Sequence, residues 1–168
     1  NVSLVGILDA DGLLSFADFR VNERAFQLME QVSGRAGRKK QQGKVILQAV
    51  NVKHPVLQLV QMHDYEQFYQ FEIAGRAEFF YPPFSRVIKL ILKHKDSAIV
   101  HAASEKLASL LRQDLQQFVV GPAAPVIGRL RNEYIMELMI KLPKEQGMGF
   151  TYKKVIRNHI NLMWSEKA

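Results

Sequence analysis

The run "VSLVGIL", Val2 to Leu8, is apolar almost from end to end and carries β-branched residues. It lacks the polar alternation of a half-exposed strand, so it reads as a strand covered on both faces, as in a parallel sheet. "DAD", Asp9 to Asp11, ends it abruptly. After a loop, Ala25, Phe26, Leu28, Met29 and Val32 fall on one stripe of a helix from about Val21 to Gly34, which Gly34 and Gly37 stop. "KVILQAV", residues 44 to 50, is a second strand of the buried type. Strand, helix and strand with short links make a βαβ crossover, the unit of an open α/β sheet. One such unit cannot close a core, so the chain reads as starting inside a larger domain. A first residue that is not Met, directly against a buried-type strand, adds to that expectation.

The 168 residues allow one domain or two small ones, and an apolar content of 48% supplies a core in either case. No apolar run approaches the ~20 residues that cross a bilayer. The opening residues lack the basic start and cleavage site of a signal peptide, which points to the cytoplasm. The chain has no cysteine, which removes disulfides and thiolate metal sites, and its five histidines lack helical pairing. No metal is expected.

The net charge of +7 is unevenly spread. Residues 1 to 84 hold nine Lys+Arg and nine Asp+Glu, whereas residues 85 to 168 hold fourteen and seven. A basic half suits polyanions such as nucleic acid or acidic protein tails, and equally a plainly solvated surface.

From Pro55 to about Ala77 the spacing of Val56, Leu59, Val60, Tyr65, Phe68 and Tyr69 is helical. "FFYPPF" at 79 to 84 follows, and its two prolines predict extended chain. The expected organisation is therefore 1–53, the end of an α/β lobe; 54–84, a helical connector; and 85–168, a basic α+β domain. In the last of these, "RVIKLILK" (86 to 93) reads as a strand and residues 97 to 117 as a helix. "PVIGRLRNEYIMELMIKL" (125 to 142) reads as a hairpin with Tyr134, Met136, Leu138, Ile140 and Leu142 on one face. A final helix, about 151 to 164, turns Val155, Ile156, His159, Ile160 and Met163 inward. The expectation is a small sandwich with helices on one face of a largely antiparallel sheet.

The chemistry concentrates in "QVSGRAGR", Gln31 to Arg38. Gln31 and Arg35 are four apart and share a helix face, with Arg38 one turn further along. Guanidinium forks match polyphosphate oxygens in charge and shape, and such an arginine stabilises charge developing in phosphoryl transfer. The competing reading makes Arg35 and Arg38 surface residues that cap carbonyls at the helix end. Asp9 and Asp11 lie where open α/β sheets place a ligand crevice, although capping the next turn explains them as well. Arg86, Arg129, Arg131, Lys153, Lys154 and Arg157 are candidates for phosphate or acidic-partner contacts, the last three close to one helix face. The aromatic residues between Tyr65 and Phe84 favour packing over base stacking.

"QVSGRAGR" resembles the last motif, Q-x-x-G-R-x-G-R, of superfamily 2 helicases. With its flanks, "VGILDADGLLSFADFRVNERAFQLMEQVSGRAGR" and the later "YPPFSR", the chain resembles the primosomal replication-restart DNA helicases, the PriA or primosomal protein N′ family, along nearly its whole length. The resemblance implies two RecA-like lobes that bind ATP between them, with the phosphate loop and Mg²⁺ carboxylates on the first lobe. Gln31, Gly34, Arg35, Gly37 and Arg38 would then face the ATP phosphates from the second lobe, with Arg38 the arginine finger and Arg35 its companion. The chain holds no G-x-x-x-x-G-K-[ST] and no D-E-x-H, so it corresponds to the end of lobe two plus the C-terminal domain. That domain resembles a small ribosomal-protein-like fold and implies contacts to branched DNA, single-strand-binding protein and primosome proteins. The family's zinc-binding cysteines belong to a part not present in this sequence. The implied activity is ATP-driven 3′-to-5′ DNA unwinding at stalled forks, and the alternative is a non-catalytic docking module for nucleic acid or protein.

Overall fold

A computed structural model describes residues 4–36, 43–145 and 147–165. The chain divides into two compact units, residues 1–76 and 77–168.

In the first unit, β1 (Leu4–Ile7) and β2 (Lys44–Leu47) pair in parallel, from Leu4 opposite Lys44 to Ile7 opposite Leu47. The link between them carries α1 (Ala10–Leu14) and α2 (Val21–Ser33). Ala25, Phe26 and Met29 of α2 are buried with Ile7, Val56 and Val60. Leu28, expected on the same stripe, is exposed, because the covered face is narrower than the apolar spacing suggested. The one-turn helix α1 was not expected, since five residues are too few to show a period.

The expected single helical run from Pro55 is two helices, α3 (Pro55–Met62) and α4 (Tyr65–Glu78). His63 takes a left-handed conformation, φ 53°, that closes α3. Asp64 then opens α4 by accepting from the Gln67 amide at 2.9 Å. Val56, Leu57, Leu59 and Val60 of α3 lie in the same core cluster as α2. Phe68 of α4 stacks on Phe26 with ring centroids 4.1 Å apart. Asn22 donates to Glu72 at 2.9 Å and Arg76 pairs with Glu23 at 2.7 Å, which ties α4 to α2.

The second unit orders its elements as β3 (Ser85–His94), α5 (Ser97–Leu115), β4 (Val119–Ala123), β5 (Arg129–Leu130), β6 (Glu133–Pro143) and α6 (Met148–Ser165). The sheet order is β3-β6-β4, antiparallel throughout, with β5 forming a short hairpin with β6. Leu107, Leu111 and Leu115 of α5 and Ile156 and Met163 of α6 bury against Leu138, Ile140 and Leu142 of β6. The alternation read in β6 holds from Met136 to Leu142, and Tyr134 is half-buried.

Three expectations change here. Strand β4 was missed, because "VVGPA" carries the Gly and Pro of a loop. It is an irregular strand, its register shifting between Val120 and Ala123. Gly121 stands at φ 96°, and a Cβ there would meet the Glu137 carbonyl at 2.9 Å, so only glycine fits. Secondly, the first hairpin arm is two residues long rather than starting at Pro125. Thirdly, "FFYPPF" forms a turn instead of extended chain, with the Phe84 amide on the Tyr81 carbonyl at 3.0 Å and a cis Pro82–Pro83 bond. Lys141 closes over this turn, 3.6 Å from the Tyr81 ring centroid and 2.7 Å from the Phe79 carbonyl.

Candidate functional site

The end of α2 is built by a helix whose apolar face is buried and whose opposite face presents Gln31 and Arg35, both exposed. Gly34 keeps right-handed geometry, φ −66°, and its amide still bonds the Glu30 carbonyl at 2.9 Å. A Cβ at Gly34 would lie 3.4 Å from that carbonyl, which is ordinary contact, so the described chain does not itself demand glycine here. The backbone amide of Arg35 closes the helix on Val32 at 3.1 Å. Its guanidinium makes no carbonyl cap and no ion pair among the described residues. The neighbouring carboxylate, Glu30, faces the His63 ring at 3.0 Å. Gly37 and Arg38 lie outside the described residues.

Asp9 and Asp11 have separate structural duties. Asp9, in left-handed geometry at φ 56°, caps α1 by accepting from the Gly12 amide at 3.0 Å. A Cβ at Gly12 would sit 2.5 Å from Asp9 Oδ2, so the cap requires the glycine. Asp11 accepts from the amides of Val50 at 2.6 Å and Asn51 at 3.1 Å, fastening the chain after β2 to the start of α1. The Val50 amide, followed by that of Asn51, holds its carboxyl below the usual range. Nothing in the local pattern announces this bond, which spans nearly forty residues of sequence.

In the second unit, Lys153, Lys154 and Arg157 are exposed on α6 and make no ion pairs among the described residues. Phe150, which sequence reasoning passed over, is 80% exposed. It precedes them by three, four and seven residues, so all four side chains share a helix face. Arg86 extends from β3 over the first turn of α6, where a Cβ at Gly149 would meet its Nη1 at 2.3 Å. The basic side chain therefore stands beside a helix N-terminus, whose dipole favours an anion. Arg129 and Arg131 sit apart from this group, in the β5–β6 hairpin. Arg131 and Asn132 form its two-residue turn with φ 50° and 65°, and Arg129 lies over the Tyr134 ring at 4.9 Å.

The pairing of His159 with Asp114 also escaped sequence reasoning. The imidazole is buried as expected, and its Nε2 meets the Asp114 carboxylate of α5 at 2.6 Å, linking the two helices that cover the sheet. No helix among the described residues is long and apolar enough to cross a membrane.

The second unit is an α+β fold, an antiparallel sheet with helices on one face that carries the chain's surplus of basic side chains, and the first contains a βαβ unit. Residues 77–161 match the model of the primosomal protein N C-terminal domain, and the chain belongs to that family. It is 38% identical over 161 residues to replication restart protein PriA of Bacillus subtilis (strain 168), an alignment covering 95% of this chain and 20% of that protein. It is 40% identical over 145 residues to replication restart protein PriA of Synechocystis sp. (strain ATCC 27184 / PCC 6803 / Kazusa), covering 85% of this chain and 17% of the relative. The corresponding protein of Treponema pallidum (strain Nichols) is 39% identical over 145 residues, 85% of this chain and 22% of its own length. The chain thus spans about a fifth of the relatives it matches.

Proposed function

We propose that this chain is the C-terminal part of an ATP-dependent 3′-to-5′ DNA helicase that recognises stalled or branched replication forks and restarts replication through primosome assembly. The observation that carries this reading is the open end of α2. Gln31 and Arg35 are presented outward, Arg35 lacks a carboxylate partner among the described residues, and Gly34 answers no steric need of the described chain.

In this reading residues 1–53 end a second RecA-like lobe, 54–84 connect, and 85–168 form the basic C-terminal domain. Gln31, Gly34, Arg35, Gly37 and Arg38 face the phosphates of ATP bound against the first lobe, which lies in another part of the polypeptide. The donor set fits a polyphosphate, because the Gln31 amide nitrogen and the two guanidinium groups donate hydrogen bonds that phosphate oxygens accept. Bound ATP with Mg²⁺ supplies the energy of unwinding. The arginines neutralise charge that builds up during phosphoryl transfer, with Arg38 as finger and Arg35 as positioning partner. The basic domain, through Arg86, Lys153, Lys154 and Arg157, holds DNA phosphates or the acidic segments of partners such as single-strand-binding and primosome proteins. The protein works in the cytoplasm.

The test is steady-state ATP hydrolysis with forked DNA. The full-length polypeptide should show DNA-stimulated turnover, and the 168-residue chain none, because it lacks the phosphate loop and metal carboxylates. Turnover by the short chain, or none by the long one, overturns the reading.

A further inference from the structure

We propose that the loop and hairpin tip at residues 125–132 form an apolar wedge for the terminal base pair of a DNA junction, with Arg129 and Arg131 on the flanking phosphates. The proposal rests on the DNA-binding reading above and gives that domain a second, distinct contact.

Val126, Ile127 and Leu130 are 83%, 65% and 50% exposed within five residues of one another. Single exposed apolar residues are ordinary on protein surfaces, but three in one short segment, two in the loop before β5 and one next to the hairpin turn, are not. The segment is also held in shape. The Ile135 amide bonds the Gly128 carbonyl at 2.9 Å, closing the base of the loop, and Pro125 restricts its start. The two left-handed residues Arg131 and Asn132 give the tight turn whose twist suits a hairpin. Arg129 is fixed on both sides, by the Tyr134 ring and by its bond to Asn132 Oδ1.

The electrostatics select the partner. Neither Arg129 nor Arg131 has an ion pair among the described residues. Glu133, the one carboxylate between residues 125 and 134, pairs in register with Leu130, whereas Arg129 pairs with Tyr134 on the opposite face. An exposed apolar segment that carries two guanidinium groups without an ion pair among the described residues fits a surface with flat apolar faces between rows of anions. Base pairs between phosphates have that chemistry, and aliphatic side chains are used elsewhere as wedges against base steps. The surplus of basic residues across 85–168, fourteen against seven, would bring the same polyanion to the tip.

The experiment titrates the 168-residue chain with a three-way DNA fork carrying 2-aminopurine at the junction base pair, at several salt concentrations. The unsubstituted chain should bind in a salt-dependent way and raise the 2-aminopurine fluorescence as that base unstacks. The double substitution Val126→Ser with Ile127→Ser should abolish the rise and weaken binding about tenfold while keeping the salt slope. Arg131→Ala should instead lower the magnitude of the salt slope by about one. These positions are exposed, so melting curves should match the unsubstituted chain and exclude misfolding as the cause. If the unsubstituted chain binds and the double variant binds equally with the same fluorescence, the wedge is wrong while the DNA-binding reading stands, and the apolar tip belongs to a protein partner. If the unsubstituted chain shows no salt-dependent binding, both fall.

Discussion

The two units treat the outer faces of their sheets in different ways. In the first, Leu4 and Gly6 share a face with Lys44 and Ile46, and all four are exposed, Leu4 by 55% and Ile46 by 47%. The covered face of the same strands carries Ile7 and Leu47, packed on α2 and α3. In the second, the face turned away from α5 and α6 carries Lys89, Lys93 and Glu137 among Val87, Ile91 and Met139, with Lys89 and Glu137 paired at 2.7 Å and Ile91 52% exposed. Each sheet matches the sequence that makes it. A continuous apolar strand is suited to cover on both sides, whereas an alternating strand keeps one side for water. The second sheet's outer face is charged as well as apolar, whereas the first sheet's carries Leu4, Gly6 and Ile46 with a single lysine, Lys44.

The largest expected effect tests whether the first unit is catalytic and the second is not. In the full-length polypeptide, Arg38→Ala should lower the ATP turnover number by ~10³-fold or more with little change in nucleotide affinity. Arg38→Lys should rescue poorly, since a point charge lacks the planar fork. Near-normal turnover in a slightly destabilised Arg38→Ala protein would return the residue to a helix-capping role.

Next comes the outer face of the second sheet. Leu138 is fully buried at the centre of β6, and Leu138→Ala should cost about 2–5 kcal/mol in urea unfolding. Lys89→Ala on the watered face should cost about 1 kcal/mol or less. Comparable losses at both positions would mean that the outer face of this sheet is also covered.

Ile46→Asp sharpens the contrast from the other side. In the 168-residue chain the substitution should stay within about 0.5 kcal/mol, as at other exposed sites. In the full-length polypeptide it should cost about 2 kcal/mol or more, because a carboxylate would be buried without a partner. Equal effects in both would show that nothing covers this face.

The smallest effect concerns Asp11. Its carboxyl titrates below the ordinary range because the Val50 and Asn51 amides favour the charged form. A group with a lowered folded value stabilises the fold above its unfolded value and loses that contribution as pH falls through the folded one. Asp11→Ala should therefore lower the melting temperature modestly at pH 7, and the gap should narrow below about pH 4. A gap that stays constant down to pH 2 would remove the charge from the explanation.

What the sequence determined was much of what has a short period. The i, i+3, i+4 spacing of Ala25, Phe26 and Met29 marked a covered helix face, and alternation from Met136 to Leu142 marked a strand with one buried side. The glycine spacing after Gln31 marked where α2 ends, and the helix closes at Gly34. Tertiary structure decided what depends on distant partners. Strand β4 exists because β6 offers it a ladder that local Gly and Pro preferences argue against. Phe150 and Val126 gave no sign in the sequence of being exposed, because an apolar residue looks the same whether its neighbours cover it or leave it bare. Asp11 is the plainest case: a carboxylate after a strand can cap, ligate or clamp, and only the approach of the Val50 and Asn51 amides, brought there by the parallel pairing of β1 and β2, made it a clamp.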